Sequence, residues 1–110
     1  MSRKFKHIAK TIKTWRKHRD ISQQDLAQCV GFKNGQYISN VERGIASFPP
    51  NKILRLCEVL DMDTENIIQA IVEDYRIHLE IAVQKSRIEK VELPALPDFL
   101  KPIPPDLIYL

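Results

Sequence analysis

Four side chains between residues 36 and 43 are the best placed in this chain to do chemistry. In "GQYISNVERG", Gln36, Ser39, Asn40 and Arg43 lie three, four and seven residues apart. On a helix that spacing puts them along one edge. They are short or planar hydrogen-bonding groups, not the long Lys/Glu mix of an ordinary solvated face. A carboxamide can bond an adenine edge in two places, and a guanidinium can do the same with guanine, in a DNA major groove that admits one helix. The chemistry suggested is recognition. For catalysis there is no Cys/His dyad, paired-carboxylate signature or phosphate loop. The expectation is therefore a non-enzyme with no cofactor and no metal. Cys29 and Cys57 sit in apolar helical contexts and read as two small buried thiols. His7 and His18 are three helical turns apart, about 16 Å, too far for one ion. His78 stands alone.

The charge distribution points the same way. The chain has 110 residues and a net charge of +3, yet residues 1 to 19 alone carry eight Lys/Arg and no acid. Every later segment is weakly acidic. A basic segment on an otherwise balanced chain is the pattern of a polyanion binder, although basic helices are also commonly just solvated faces. The apolar fraction of 44% is enough for a core. With no run of about 18 apolar residues, no membrane span is expected. The charged N-terminus lacks the apolar stretch of a signal peptide, so a cytoplasmic location is expected.

The elements that must position the recognition edge are all helical. In "RKFKHIAKTIKTWRKHR", Phe5, Ile8, Ile12 and Trp15 form one apolar stripe among lysines. Ser22 is a good N-cap with Asp25 three residues on, and "SQQDLAQCVG" reads as a short helix that Gly31 ends in left-handed geometry. A second short helix follows "FKNG", with Asn34 able to cap it, Ile38 and Val41 facing inward and Gly44 closing it. All three glycines of the chain thus bracket the recognition edge. Pro49 and Pro50 suit the first turn of the next helix, whose expected inner positions are Ile53, Leu54, Cys57, Val59 and Leu60. A long last helix is expected from about Thr64 to Lys90. There is no strand signal and no internal repeat.

These motifs together carry a resemblance. "ISQQDLAQCVGFKNGQYISNVERG", a proline-containing loop and "ILRLCEVLDMDTENI" resemble the helix-turn-helix family of phage repressors and Cro proteins, the XRE-like family. The resemblance implies an all-α, five-helix fold in which the second and third helices form the DNA-binding unit. It places Gln36 at the leading base-reading position, with Ser39 and Asn40 one turn on. Ser22 and Gln23 fall where the family contacts a phosphate at a helix N-terminus. Arg43 matches a phosphate-facing position, and Arg16 and Glu42 match a pair that ties the first helix to the third. One feature departs from the family pattern. Five residues, "FKNGQ", follow the turn glycine where four are usual. Gly35 has no side chain to offer a base, so Lys33 and Asn34 are assigned to the DNA backbone, and "NG" reads either as a plain turn or as part of the specificity. Lys17, with Lys10, Lys13 and Arg19, would lie along a flanking strand.

Beyond residue 70 the chain changes character. The last helix has two apolar stripes: Ile68, Val72, Tyr75, Leu79 and Ala82 on one side, and Ile77, Ile81 and Ile88 roughly opposite. A helix apolar on two sides must be covered twice. A homodimer through Tyr75, Ile77, Leu79, Ile81 and Ile88 is the expected second cover. The tail "LPALPDFLKPIPPDLIYL" holds five of the seven prolines and is expected to be extended, neither helix nor central strand. It is expected to wrap across its own or a partner's last helix; a frayed end and a docking peptide for another protein are the alternatives. The resulting organisation is a helix-turn-helix domain at 1–70, a dimerisation helix at 71–93 and a proline-rich tail at 94–110. The expected function is a sequence-specific DNA-binding regulator, most simply a repressor bound as a homodimer to a near-palindromic site. The competing class is an antitoxin-type or other interaction module whose tail binds a protein.

Overall fold

A computed structural model describes residues 4–89, 94–100 and 102–108, for residue 108 the backbone only. Lys90, where the sequence would end the last helix, and Tyr109 of the tail lie outside these residues. Six helices follow one another: α1 Lys6–His18, α2 Gln23–Val30, α3 Gln36–Glu42, α4 Ile53–Leu60, α5 Thr64–Glu89 and α6 Pro105–Ile108, with a 3-10 turn at Pro50–Lys52 leading into α4. No strand occurs among the described residues. No helix among them is long and apolar enough to cross a membrane.

The first five helices close around one core. Ile8 and Ile12 of α1, Leu26 of α2, Ile38 and Val41 of α3, Leu56 and Leu60 of α4 and Ile67 of α5 are fully buried. Each such side chain contributes roughly 1.5–3 kcal/mol by leaving water. Local signals set the helix ends. Ser22 Oγ accepts from Asp25 N at 2.9 Å to start α2. Gly31 ends it at φ +93°, where the Phe32 amide returns to Ala27 O at 2.8 Å. Two aspartates, Asp20 and Asp61, take the same left-handed role after α1 and α4.

The start of α1 is held differently. No neighbouring side chain caps it. Its free amides reach across the fold to Asp74 of α5: His7 N donates to Oδ1 at 2.8 Å and Ile8 N to Oδ2 at 3.0 Å. His7 Nδ1 also lies 2.9 Å from Oδ1. Asp74 is buried among apolar residues, and these donors satisfy it.

Several sequence expectations are corrected here. Cys29 is exposed, because it points away from the α2 face that Leu26 and Val30 bury; only Cys57 is a buried thiol, and burial pushes its pKa up. In α4 the inward position is Leu56, and Leu54 is 64% exposed. The tail is not free of helix: Pro105 begins the single turn of α6, a position where proline gives up no bonded amide. The described tail residues 94–100 and 102–107 are exposed in the single chain. On α5 the domain covers the face of Ile67, Ala70 and Asp74, and half-buries Ile77 on the same side. Ile81 and Ile88 continue that side into solvent, while Ile68, Val72, Tyr75 and Leu79 are exposed opposite it.

Candidate nucleic-acid interface

The candidate site is the outer edge of α3, and its geometry is set by what holds the other side. Ile38 and Val41 drop into the core one turn apart. Beside them Glu42, a residue type that almost never goes inside unpaired, is 7% exposed. Its carboxylate accepts from Arg16 Nε at 2.6 Å and from Arg16 Nη2 at 3.0 Å. This two-pronged pairing fixes direction as well as distance. Arg16 Nη1 donates onward to Ile21 O at 2.8 Å, so one guanidinium links α1, the α1–α2 turn and α3. The hydrogen bond from Glu42 raises the Arg16 pKa above its ordinary value, against the opposing effect of burial.

Gln23 belongs to the same cluster. Its Nε2 donates to Glu42 Oε1 at 3.2 Å, which joins the start of α2 to the end of α3. Its amide group therefore has a positioning partner inside the protein, a role additional to the phosphate contact that the resemblance implies. The neighbouring Gln24, which sequence reasoning passed over, accepts from the Gly35 amide at 2.8 Å. Gly35 packs closely against the backbone at the start of α2. A Cβ there would stand 3.2 Å from the Gln24 backbone nitrogen, although its φ of −74° is ordinary. The glycine of "NG" is needed for this contact and not for a left-handed turn. Asn34 Oδ1 accepts from Gln36 N at 2.9 Å, so it opens α3 through a side-chain turn.

Aromatic and basic groups brace the flanks. Tyr37 stacks on Phe32 with ring centres 4.7 Å apart and donates to Ser47 O at 2.6 Å. Lys52 Nζ and Arg55 Nε donate to Val30 O and Cys29 O, the unpaired carbonyls at the end of α2. Cations at a helix C-terminus also match its partial negative charge. Single-residue patterns gave no signal for these contacts, since each spans a loop between helices.

What remains outward is the polar edge. Gln36 and Arg43 are exposed, and Ser39 and Asn40 half-buried. Gln36 Nε2 donates to Asn40 Oδ1 at 3.0 Å, and Arg43 Nη2 donates to the same oxygen. Gln23, Gln24, Asn34, Gly35, Gln36 and Ser39 line one open cleft between the N-terminal ends of α2 and α3. Lys17, Ser22, Lys33 and Asn34 are exposed; Ser22 Oγ is already engaged as the α2 cap. The five residues assigned to an intermolecular contact lie elsewhere, on α5. Tyr75, Leu79, Ile81 and Ile88 are exposed by 62%, 46%, 62% and 71%.

The model of the helix-turn-helix family matches residues 12–67, half of the chain, from the middle of α1 into α5. No curated protein matches the chain. Among solved structures, the chain is similar to the restriction-modification controller protein C.AhdI from Aeromonas hydrophila. The two share 25% sequence identity with a TM-score of 0.52, over 57% of this chain and 90% of that one.

Proposed function

The chain belongs to the helix-turn-helix family, of the XRE type, whose members are DNA-binding regulators of transcription, and on that premise we propose that it is a repressor that reads a near-palindromic operator as a homodimer. The observation that carries this is the two-sidedness of α3. Its inner side is locked by Ile38, Val41 and the Glu42–Arg16 pair, and its outer side offers exposed Gln36 and Arg43 with half-buried Ser39 and Asn40 between them. A rod held rigidly on one side and polar on the other fits a major groove. Lys17, Ser22, Lys33 and Asn34 then meet phosphates on either flank.

Selection of bound sites from random duplexes tests the function. It should return one recurring motif with two inverted halves. Gln36→Ala is expected to lose roughly 1–3 kcal/mol of discrimination at one base pair of each half, measured by competition, with fold stability unchanged. Lys17→Ala should weaken all sequences alike and make the slope of log K against log salt about one unit shallower. Loss of Gln36 with preference intact would remove it from the reading edge.

The dimer rests on α5. Its stripe from Ile68 to Leu79 is exposed among the described residues, and a second copy covers it under two-fold symmetry. The tail supplies a further cover: Leu96, Phe99, Leu100, Ile103 and Leu107 are exposed by 50% or more, an apolar set suited to lie along α5 of its own or the partner subunit. Removal of residues 94–110 is expected to lower the dimer mass measured in solution or its thermal midpoint. An unchanged, equally stable dimer would contradict wrapping and favour the second reading, in which the exposed tail is a docking element for another protein. As a DNA-bound regulator the chain would act in the cytoplasm, with no enzymatic step of its own.

A further inference from the structure

Gln36, Asn40 and Arg43 are spaced i, i+4 and i+7, and the structure links them through a single atom. Asn40 Oδ1 accepts from Gln36 Nε2 at 3.0 Å and from Arg43 Nη2. Two donors on one oxygen define which end of the Asn40 amide is which. They also draw Arg43, the residue after the last turn of α3, back along the helix edge towards Gln36. A guanidinium turned this way lies with the base-reading side chains and not out along the phosphates. Resting on the DNA-reading function proposed above, we infer that Asn40 is a positioning residue whose carbonyl oxygen couples Gln36 and Arg43 into one three-residue reader, and that Arg43 reads a base edge.

The chemistry of each member follows from the bonds it has already made. Gln36 has given one of its two Nε2 donors to Asn40, so its Oε1 and one Nε2–H remain, an acceptor and a donor that suit the N6 amino group and N7 of adenine. Asn40 has its oxygen filled twice, so it offers only Nδ2 donors outward, which suit guanine or the thymine carbonyl. Arg43 keeps the rest of its planar fork for the O6 and N7 acceptors of guanine. Neutral or charge-assisted bonds of this kind cost little to keep in water, because three side chains on one rigid edge lose less freedom on binding than three independent ones.

The experiment uses the full chain and a duplex that the wild-type protein itself selects from random sequence. Competition with every single-base-pair variant of that duplex gives a preference profile for wild type, Gln36→Ala, Asn40→Ala, the Gln36→Ala/Asn40→Ala double variant and Arg43→Lys. The expected results are two. The affinity lost on Gln36→Ala should shrink by about threefold or more when Asn40 is already alanine, the sign of a shared unit. Arg43→Lys, which keeps the charge but not the fork, should flatten the preference at one base pair while leaving the salt slope as in wild type. Fold losses that simply multiply, or an Arg43→Lys profile identical to wild type, would overturn the inference. The two arms are independent: Arg43→Lys keeps the α3 bonds to the core, so it reports even if Asn40→Ala is poorly folded. A wild-type chain that selects no sequence would overturn the regulator function, and the coupled reader with it.

Discussion

Replacing Arg16 with alanine is expected to cost about 3–5 kcal/mol of stability, seen as a fall in the denaturant midpoint with an unchanged slope. The loss comes less from a bond removed than from a charge left behind. Glu42 has a side-chain exposure of only 3% and faces the core beside Val41. Without Arg16 its carboxylate keeps a single neutral donor, Gln23 Nε2 at 3.2 Å. A domain of this size has about 5–15 kcal/mol in total, so one substitution brings it close to unfolding. Arg16→Lys should recover part of the loss, since an ammonium keeps the charge but cannot make the two-pronged contact and still reach Ile21 O. Replacing both partners with apolar residues, Arg16→Met with Glu42→Leu, should restore most of the stability. It should not restore specific DNA binding to the same degree, because the pair also sets the direction of α3. A double variant that folds and binds as wild type would show that packing of Ile38 and Val41 orients α3 alone.

The second large effect is expected at Asp74. Asp74→Ala should cost about 2–3 kcal/mol, because the buried amide of Ile8 and the part-buried amide of His7 lose a charged acceptor and gain none. The carboxylate also faces the positive end of α1, so its charge is favourable there beyond the two bonds. Asp74→Asn keeps one acceptor oxygen and should retain part of this. Hydrogen exchange gives a second, local readout. Amides near the start of α1 should exchange faster in Asp74→Ala, while those of α2 and α3 keep their wild-type order of protection. Uniformly faster exchange with no local excess at α1 would contradict a capping role.

These two residues also show what the sequence could and could not disclose. The turn from α2 to α3 was legible because its signals are local: a serine before a helix, and glycines at its end and at the end of α3. The five core helices followed from apolar spacing for the same reason. The Arg16–Glu42 connection came through the family resemblance, and the structure joins those side chains. Asp74 was invisible. Its partners lie 66 and 67 residues away, and in the sequence it is one acid among several on a long helix. The two apolar stripes of α5 expected from sequence leave out Ile67 and Ala70, which face the domain on the same side as Ile77. In the sequence "NG" reads as a plain turn or as part of the specificity, and the close approach of Gly35 to the Gln24 backbone is a tertiary fact that no local pattern encodes. The exposure of Cys29 and the Leu54–Leu56 exchange are errors of helix phase of one and two residues, and a phase is settled by packing rather than by composition.

The central claim is that the outer edge of α3 lies in a DNA major groove. Methylation interference on a duplex selected by the wild-type chain tests it most directly. Methyl groups at guanine N7 project into the major groove, and those at adenine N3 into the minor groove. The expected result is loss of binding when guanine N7 is methylated at a few G·C pairs in each half-site, with adenine N3 methylation tolerated at the A·T pairs of the same half-sites. Binding that ignores N7 methylation throughout the protected sequence would contradict it.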